Sequence, residues 1–173
     1  MMRTSVRGSE AAVAGRLGEL YVLHAPAGLR FAYYLCGDAE RARDLVQDAF
    51  VRVAARFSYL RQPDRFETYL RRTILNLHTS RLRRLRLERE YLAREGRRVA
   101  HTHEDPDPAE RDEVWRAILD LPARQRAAVV LRFYEDLSER ESAEILGCSV
   151  GALNQLVVRA TANLRATIGE GAR

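Results

Sequence analysis

Apolar residues recur at every third or fourth position along almost the whole of this chain, and that period decides what it can fold into. The clearest case is 39–57, where Ala42, Leu45, Val46, Ala49, Phe50, Val53 and Phe57 fall on one stripe. Such a stripe buries one face of an α-helix. The mark of strands, alternating apolar and polar runs bounded by turn residues, is missing. The chain is therefore expected to be all-α.

Turn and cap residues divide the helices. A first helix is expected from about Glu10 to Cys36, bent or interrupted at Pro26 and Gly28. Gly37 suits the position just past its end, and Asp38 suits the N-cap of the next helix. After a loop at 58–64, a long helix runs from Arg65 into the low nineties, with Phe66, Leu70, Ile74 and Leu77 as its core face. Residues 96–108, "GRRVAHTHEDPDP", carry Gly, two Pro and mixed charges without an apolar period, so they read as a flexible linker. Two small helical domains result, 1–95 and 109–173. Each is small enough that docking to the other or to a partner would add stability.

The second domain is expected to hold four helices. Its first buries Val114, Trp115, Ile118 and Leu119, and Pro122 starts the second, which ends at 135–137. Ser138 followed by Glu141 forms a capping box for a short helix that stops at Gly147. Ser149 caps the last helix, 150–168, whose buried stripe is Val150, Leu153, Val157, Ala160, Leu164 and Ile168. A short helix, a glycine turn and a longer helix have the metrics of a helix-turn-helix. Taken alone, this pattern fits either a DNA reader or a plain bundle.

Charge is distributed unevenly. All 29 basic residues are arginine. Residues 1–94 hold 18 arginines against 10 acids, a net of +8, while residues 95–173 come to −3. A basic half favours a polyanionic partner. Cys36 and Cys148 read as buried structural thiols, which fits a reducing cytosol. The N-terminal stretch lacks the apolar run of a secretory signal, and the longest apolar run, "AAVVL" at 127–131, is too short to span a membrane. A cytoplasmic protein is expected. His101, His103 and Asp105 in "HTHED" read as solvated linker rather than a metal site. With no phosphate loop, nucleophile elbow or zinc-protease helix, neither catalysis, a cofactor nor a metal is expected.

Three ordered stretches carry a resemblance. "DLVQDAFVRV" (44–53), "YLRRTILNLHTSRLRR" (69–84) and "LPARQRAAVVLRFYEDLSERESAEILGCSVGAL" (121–153) together resemble the extracytoplasmic-function sigma factors of the sigma-70 family, above all the small actinobacterial SigE-like branch. The resemblance runs from about residue 17 to 167. It implies a dissociable RNA polymerase subunit whose first domain holds the polymerase core and opens the minus-10 promoter element. It implies a second domain that binds the minus-35 element, and, by family habit, an anti-sigma partner.

Residue by residue, the resemblance assigns polymerase-core binding to Glu40, Asp44, Gln47, Asp48 and Arg52. Glu40, Asp44 and Asp48 are spaced by four and form one acidic ridge. The plainer reading is a solvated face with an Asp48–Arg52 pair. Minus-10 binding falls to Tyr59, Phe66, Tyr69, Arg72, Asn76, Arg81, Arg83 and Arg84. Six arginines between 71 and 86 form a track for a nucleic-acid backbone, and the aromatics offer stacking surface for exposed bases. Phe66 fits the core equally well. Minus-35 binding falls to Ser149, Asn154, Gln155, Val158 and Arg159.

This last surface departs from the family pattern, which usually has threonine, lysine and serine where this chain has Ala152, Asn154 and Gln155. Between 149 and 168 only Arg159 and Arg165 are charged. Phosphate contacts supply much of DNA affinity, while Asn and Gln can pair with adenine, so weak or altered minus-35 recognition is expected. Two rival readings stay open: a sigma-like interaction protein that binds polymerase or a partner without reading minus-35 DNA, and a plain helix-turn-helix regulator using only 109–168.

Overall fold

The computed structural model describes residues 4–56, 65–94 and 113–171. Among these residues there are seven α-helices and no strands: α1 (Thr4–Cys36), α2 (Ala39–Arg56), α3 (Phe66–Arg94), α4 (Glu113–Asp120), α5 (Ala123–Val129), α6 (Glu139–Leu146) and α7 (Val150–Gly171). The expected loop at 58–64, the linker at 96–108, and Phe57, Tyr59, His101 and His103 lie outside the described residues.

The first three helices pack on one another. The stripe expected on α2 is buried at Ala42, Leu45, Val46, Ala49, Phe50 and Val53. On α3, Phe66, Leu70 and Ile74 are buried and Leu77 is half-buried. Of the expected bend or interruption in α1, the interruption does not occur: the helix runs continuously through Pro26. The carbonyl that loses its donor to Pro26 belongs to Val22, which is 76% exposed, so water can replace the missing bond. Gly28 is not a breaker either. A Cβ there would lie 3.4 Å from Leu70 and 3.7 Å from Val46, so its small size lets three helices approach. At the end of α1, Gly37 adopts φ 71°, and the Asp38 carboxylate accepts the Arg41 backbone N–H at 2.8 Å, as the caps required.

In the remaining helices, Pro122 is the N-cap of α5. The Ser138–Glu141 capping box is formed, with Ser138 N–H donating to Glu141 at 2.9 Å and Glu141 N–H donating to Ser138 Oγ at 3.2 Å. Gly147 closes α6 at φ 62°, and Ser149 Oγ accepts the Ala152 N–H at 3.2 Å to start α7. Leu153 and Ala160 are buried on α7, while Val157, Leu164 and Ile168 are half-buried.

Two expectations here need correction. On α4 the buried pair is Ala117 and Ile118; Val114 is exposed, and Trp115 and Leu119 are half-buried. Val150 is 38% exposed because it stands at the first turn of α7, beyond the edge of the packed face. The helix after Pro122 ends as expected near 135, and from Val130 to Tyr134 it widens into a π turn, closed by Glu135 N–H donating to the Val130 carbonyl at 2.9 Å. Such a turn re-aims the residues that follow it.

The two helical groups share one core. A single apolar cluster joins Phe31, Leu35, Leu70 and Leu75 to Ala128, Leu131, Ile145 and Leu153. Helix α6 packs on α3, and α1 meets α4, α5 and the π turn. Trp115 lies among Tyr33, Tyr34 and Tyr134, stacked on Tyr33 with ring centres 6.0 Å apart and edge-on to Tyr34 at 5.3 Å. Arg126 donates to the carbonyls of Leu35, Leu119 and Leu121, so one guanidinium satisfies the C-terminal ends of α1 and α4. Cys36 and Cys148 are free thiols, as expected, but half-buried rather than buried. Cys36 donates to the Asp38 carbonyl at 3.2 Å, and burial pushes its thiol pKa up. No single helix among the described residues is long and apolar enough to cross a membrane.

Candidate functional site

The acidic ridge is built by burying the other face of α2. With Leu45, Val46 and Ala49 facing inward, Glu40, Asp44, Gln47, Asp48 and Arg52 are all exposed. The Asp48–Arg52 pair that a plain solvated face would form is absent, and no cation pairs with Asp44 or Asp48 among the described residues. Three carboxylates thus stand in a row without local neutralisation, an arrangement that attracts and orients a basic partner.

Arg52 stands at the far end of this exposed face. It lines a cleft of about 460 Å³ between α2 and α3, together with Val53, Ala55, Tyr69, Thr73, Asn76, Leu77 and Ser80. Tyr69, Thr73, Asn76 and Ser80 follow one another at helical spacing along α3, so hydroxyls, an amide and a ring all face one hollow. Tyr69 is 40% exposed and offers its ring; Asn76 is exposed and offers both a donor and an acceptor. Thr73 and Ser80 were not singled out from the sequence, although each stands four residues after a residue that was, Tyr69 and Asn76, and that spacing was the available signal.

The structure puts Phe66 in the core. It is 1% exposed and packs on Phe50 and His24, so its ring has no face free for stacking. Arg71 likewise leaves the expected backbone track, because it is buried against Glu67 at 2.5 Å and Glu135 at 2.6 Å. Arg72 is exposed beside the turn at Gly147. Beyond it, residues 81–91 of α3 are exposed throughout, and they carry Arg81, Arg83 and Arg84 into solvent. Arg86 is held by Glu90 at 2.9 Å.

On α7, Ser149, Asn154, Gln155, Val158 and Arg159 are all exposed. Ser149 is engaged in capping, and the Asn154 amide donates to Glu139 at 3.4 Å. Val158 is 67% exposed, an apolar spot at the middle of this face. The helix therefore presents amides and a methyl surface with one central cation. Among the described residues no cluster of His, Cys, Asp and Glu could hold a metal ion.

Comparison with known proteins adds to this geometry. Residues 20–88 match the family model for sigma-70 region 2, and residues 111–164 match sigma-70, region 4. The chain is similar to the ECF RNA polymerase sigma factor SigE of Mycolicibacterium smegmatis, 34% identical over 153 residues, which are 85% of this chain and 59% of that protein. It is similar to the RNA polymerase sigma-E factor of Streptomyces avermitilis, 34% identical over 146 residues, 79% of this chain and 76% of that one. In fold it is similar to CnrH, solved in complex with the cytosolic domain of CnrY, with a TM-score of 0.64 and 27% identity over 93% of this chain and 94% of that one.

Proposed function

The chain belongs to the extracytoplasmic-function sigma factors of the sigma-70 family, and from that premise we propose how its surfaces divide the work of promoter-specific transcription initiation. The ridge of Glu40, Asp44 and Asp48 docks on a basic surface of the RNA polymerase core, with Gln47 at its edge. Like-signed carboxylates left unpaired in the free protein lose little by meeting arginines, so the ridge gives fast, oriented encounter.

The observation that carries the reading is the cleft beside that ridge. It is roomy enough for a splayed-out nucleobase, and its wall combines a tyrosine ring, an asparagine amide and two hydroxyls. Melting a duplex exposes bases that a protein must hold outside the stack. We assign minus-10 recognition to Tyr69, Thr73 and Asn76 in the cleft, with Arg52 in its lining and Arg72 exposed on the same helix. Arg81, Arg83 and Arg84 carry the backbone further along α3, and Tyr59 precedes that helix. The N-terminal group of helices, within 1–95, and the C-terminal group, within 109–173, act on the two promoter elements.

Minus-35 recognition falls to α7. Asn154 and Gln155 have the donor and acceptor pair that adenine takes, and Val158 suits a thymine methyl. Arg159 is the one cation at the centre of this face, so this contact is weak and only mildly salt-dependent. Initiation explains the match to both sigma regions better than an interaction-only protein does. The chain supplies no chemistry of its own in this reading, which needs no cofactor. It works in the cytoplasm, and an anti-sigma protein is a further expected partner.

Run-off transcription with core polymerase on the gene's own upstream region tests this. Specific initiation is expected from the wild-type chain. Asp44→Arg with Asp48→Arg should abolish association with core while leaving the far-ultraviolet spectrum unchanged. Undiminished association would remove the ridge from the docking surface.

A further inference from the structure

The chain bends by 92° between α6 and α7, and the bend brings the start of α6 back beside the outer face of α7. There the Asn154 amide of α7 donates to Glu139 of α6 at 3.4 Å, across fifteen residues of chain. Both side chains belong to exposed residues. Neither Arg140, next in sequence, nor any other guanidinium pairs with Glu139 among the described residues. A carboxylate can only accept, so this contact fixes which way the amide points. Asn154 turns Nδ2 toward Glu139 and keeps one amide hydrogen and Oδ1 for another partner.

The face that carries Asn154, Gln155 and Val158 thus has an unneutralised carboxylate at its corner. Against duplex DNA such a group is repelled by phosphates and by the keto oxygens of guanine and thymine. The major groove offers it two donors, the exocyclic amino groups N4 of cytosine and N6 of adenine. Every base pair shows one amino and one keto group there, on opposite strands. A carboxylate held in place therefore distinguishes a pair from its inversion: it accepts the amino group on the nearer strand and repels the keto oxygen.

We propose that Glu139, oriented by Asn154, is a specificity-determining residue of the minus-35 surface, accepting the amino group of a cytosine or adenine at one base pair and rejecting the inverted pair. The proposal rests on the minus-35 role given to α7. Glu139 lies outside the recognition helix, yet its charge offsets that of Arg159 on this face. The surface then discriminates between sequences more than it holds DNA, because cations that would bind any phosphate backbone are offset.

Competition binding by holoenzyme, formed from the full chain and core polymerase, tests this on labelled duplex from the gene's own upstream region. The pairs of the minus-35 region are inverted one at a time. Wild-type holoenzyme should show a pair at which inversion from amino to keto weakens binding about fivefold. Glu139→Gln can accept from an amino group and also donate to a keto oxygen, so at that pair the loss should shrink to about twofold or less. Glu113→Gln, at an exposed acid on α4, makes the same change in net charge and should keep the full loss. Exchanging adenine and cytosine on the nearer strand keeps an amino group in place, and the tighter of the two identifies the base taken. An undiminished loss in Glu139→Gln overturns the proposal alone. Indifference of the wild-type holoenzyme to every inversion overturns the minus-35 role of α7 and this proposal with it. The sigma reading stands or falls separately, on run-off transcription by the wild-type chain.

Discussion

Arg126 shows how much of the architecture can depend on one side chain. Nothing in "ARQRAAVV" distinguishes it from the arginines at 124 and 132, yet its guanidinium reaches carbonyls at the ends of both α1 and α4. Those acceptors lie 91 and 7 residues away, so no local pattern reveals them. Hydrogen bonds from a charged donor contribute more than neutral ones, and buried carbonyls left alone are costly. Arg126→Met keeps the stem and removes the donors. It should lower unfolding free energy by about 3 kcal/mol in urea titration. Phe66 teaches the complementary lesson. Its position on the core stripe and its aromatic character were both visible, and only the packing against Phe50 decides between them.

Among the elements, α3 serves three environments at once. The face Phe66, Leu70, Ile74 was legible because it follows a single period. A second buried face, Arg71, Leu75 and His78, was not, because its partners come from the C-terminal half of the chain. His78 is 5% exposed and its pKa is lowered to about 4, first by burial and then by the guanidinium charges of Arg126, Arg81 and Arg41. Those are the charged groups facing it from α5, α3 and α2. The folded state therefore keeps the imidazole neutral, while the unfolded chain takes up a proton below about 6.5. The stability tied to neutral His78 is complete above pH 6.5 and is lost as pH falls toward 4, on the order of 2–3 kcal/mol across that interval. Urea midpoints measured between pH 7 and pH 4.5 should fall accordingly, and His78→Leu should flatten the part of that slope due to this residue. The π turn after α5 is another element that composition concealed. "VVLRFYE" keeps a helical apolar period, and the widened turn becomes visible only where Glu135 closes on Val130.

For the whole molecule, the central fact is the shared core. Sequence reading separated two groups of helices at a linker, and the caps at Gly37, Ser138, Gly147 and Ser149 marked their internal boundaries well. What sequence could not show is that Leu75, Leu131 and Ile145 join one cluster, since contacts between distant segments leave no trace in local spacing. Unfolding should therefore be one cooperative event in the free protein, with calorimetric and van't Hoff enthalpies equal. Leu131→Ala, at a fully buried position of that cluster, should lower stability by about 2–5 kcal/mol and leave the transition single. Two resolved transitions in the wild-type protein would mean that the halves fold independently.

The ring of tyrosines around position 115 has a practical consequence. Trp115 is the only indole in the chain, and it sits where α4 meets α1 and the π turn. Any swing of the two halves away from each other strips its neighbours from one side and wets it. Emission colour and quenching by iodide thus report that swing in unlabelled protein, in real time, as polymerase or DNA is mixed in.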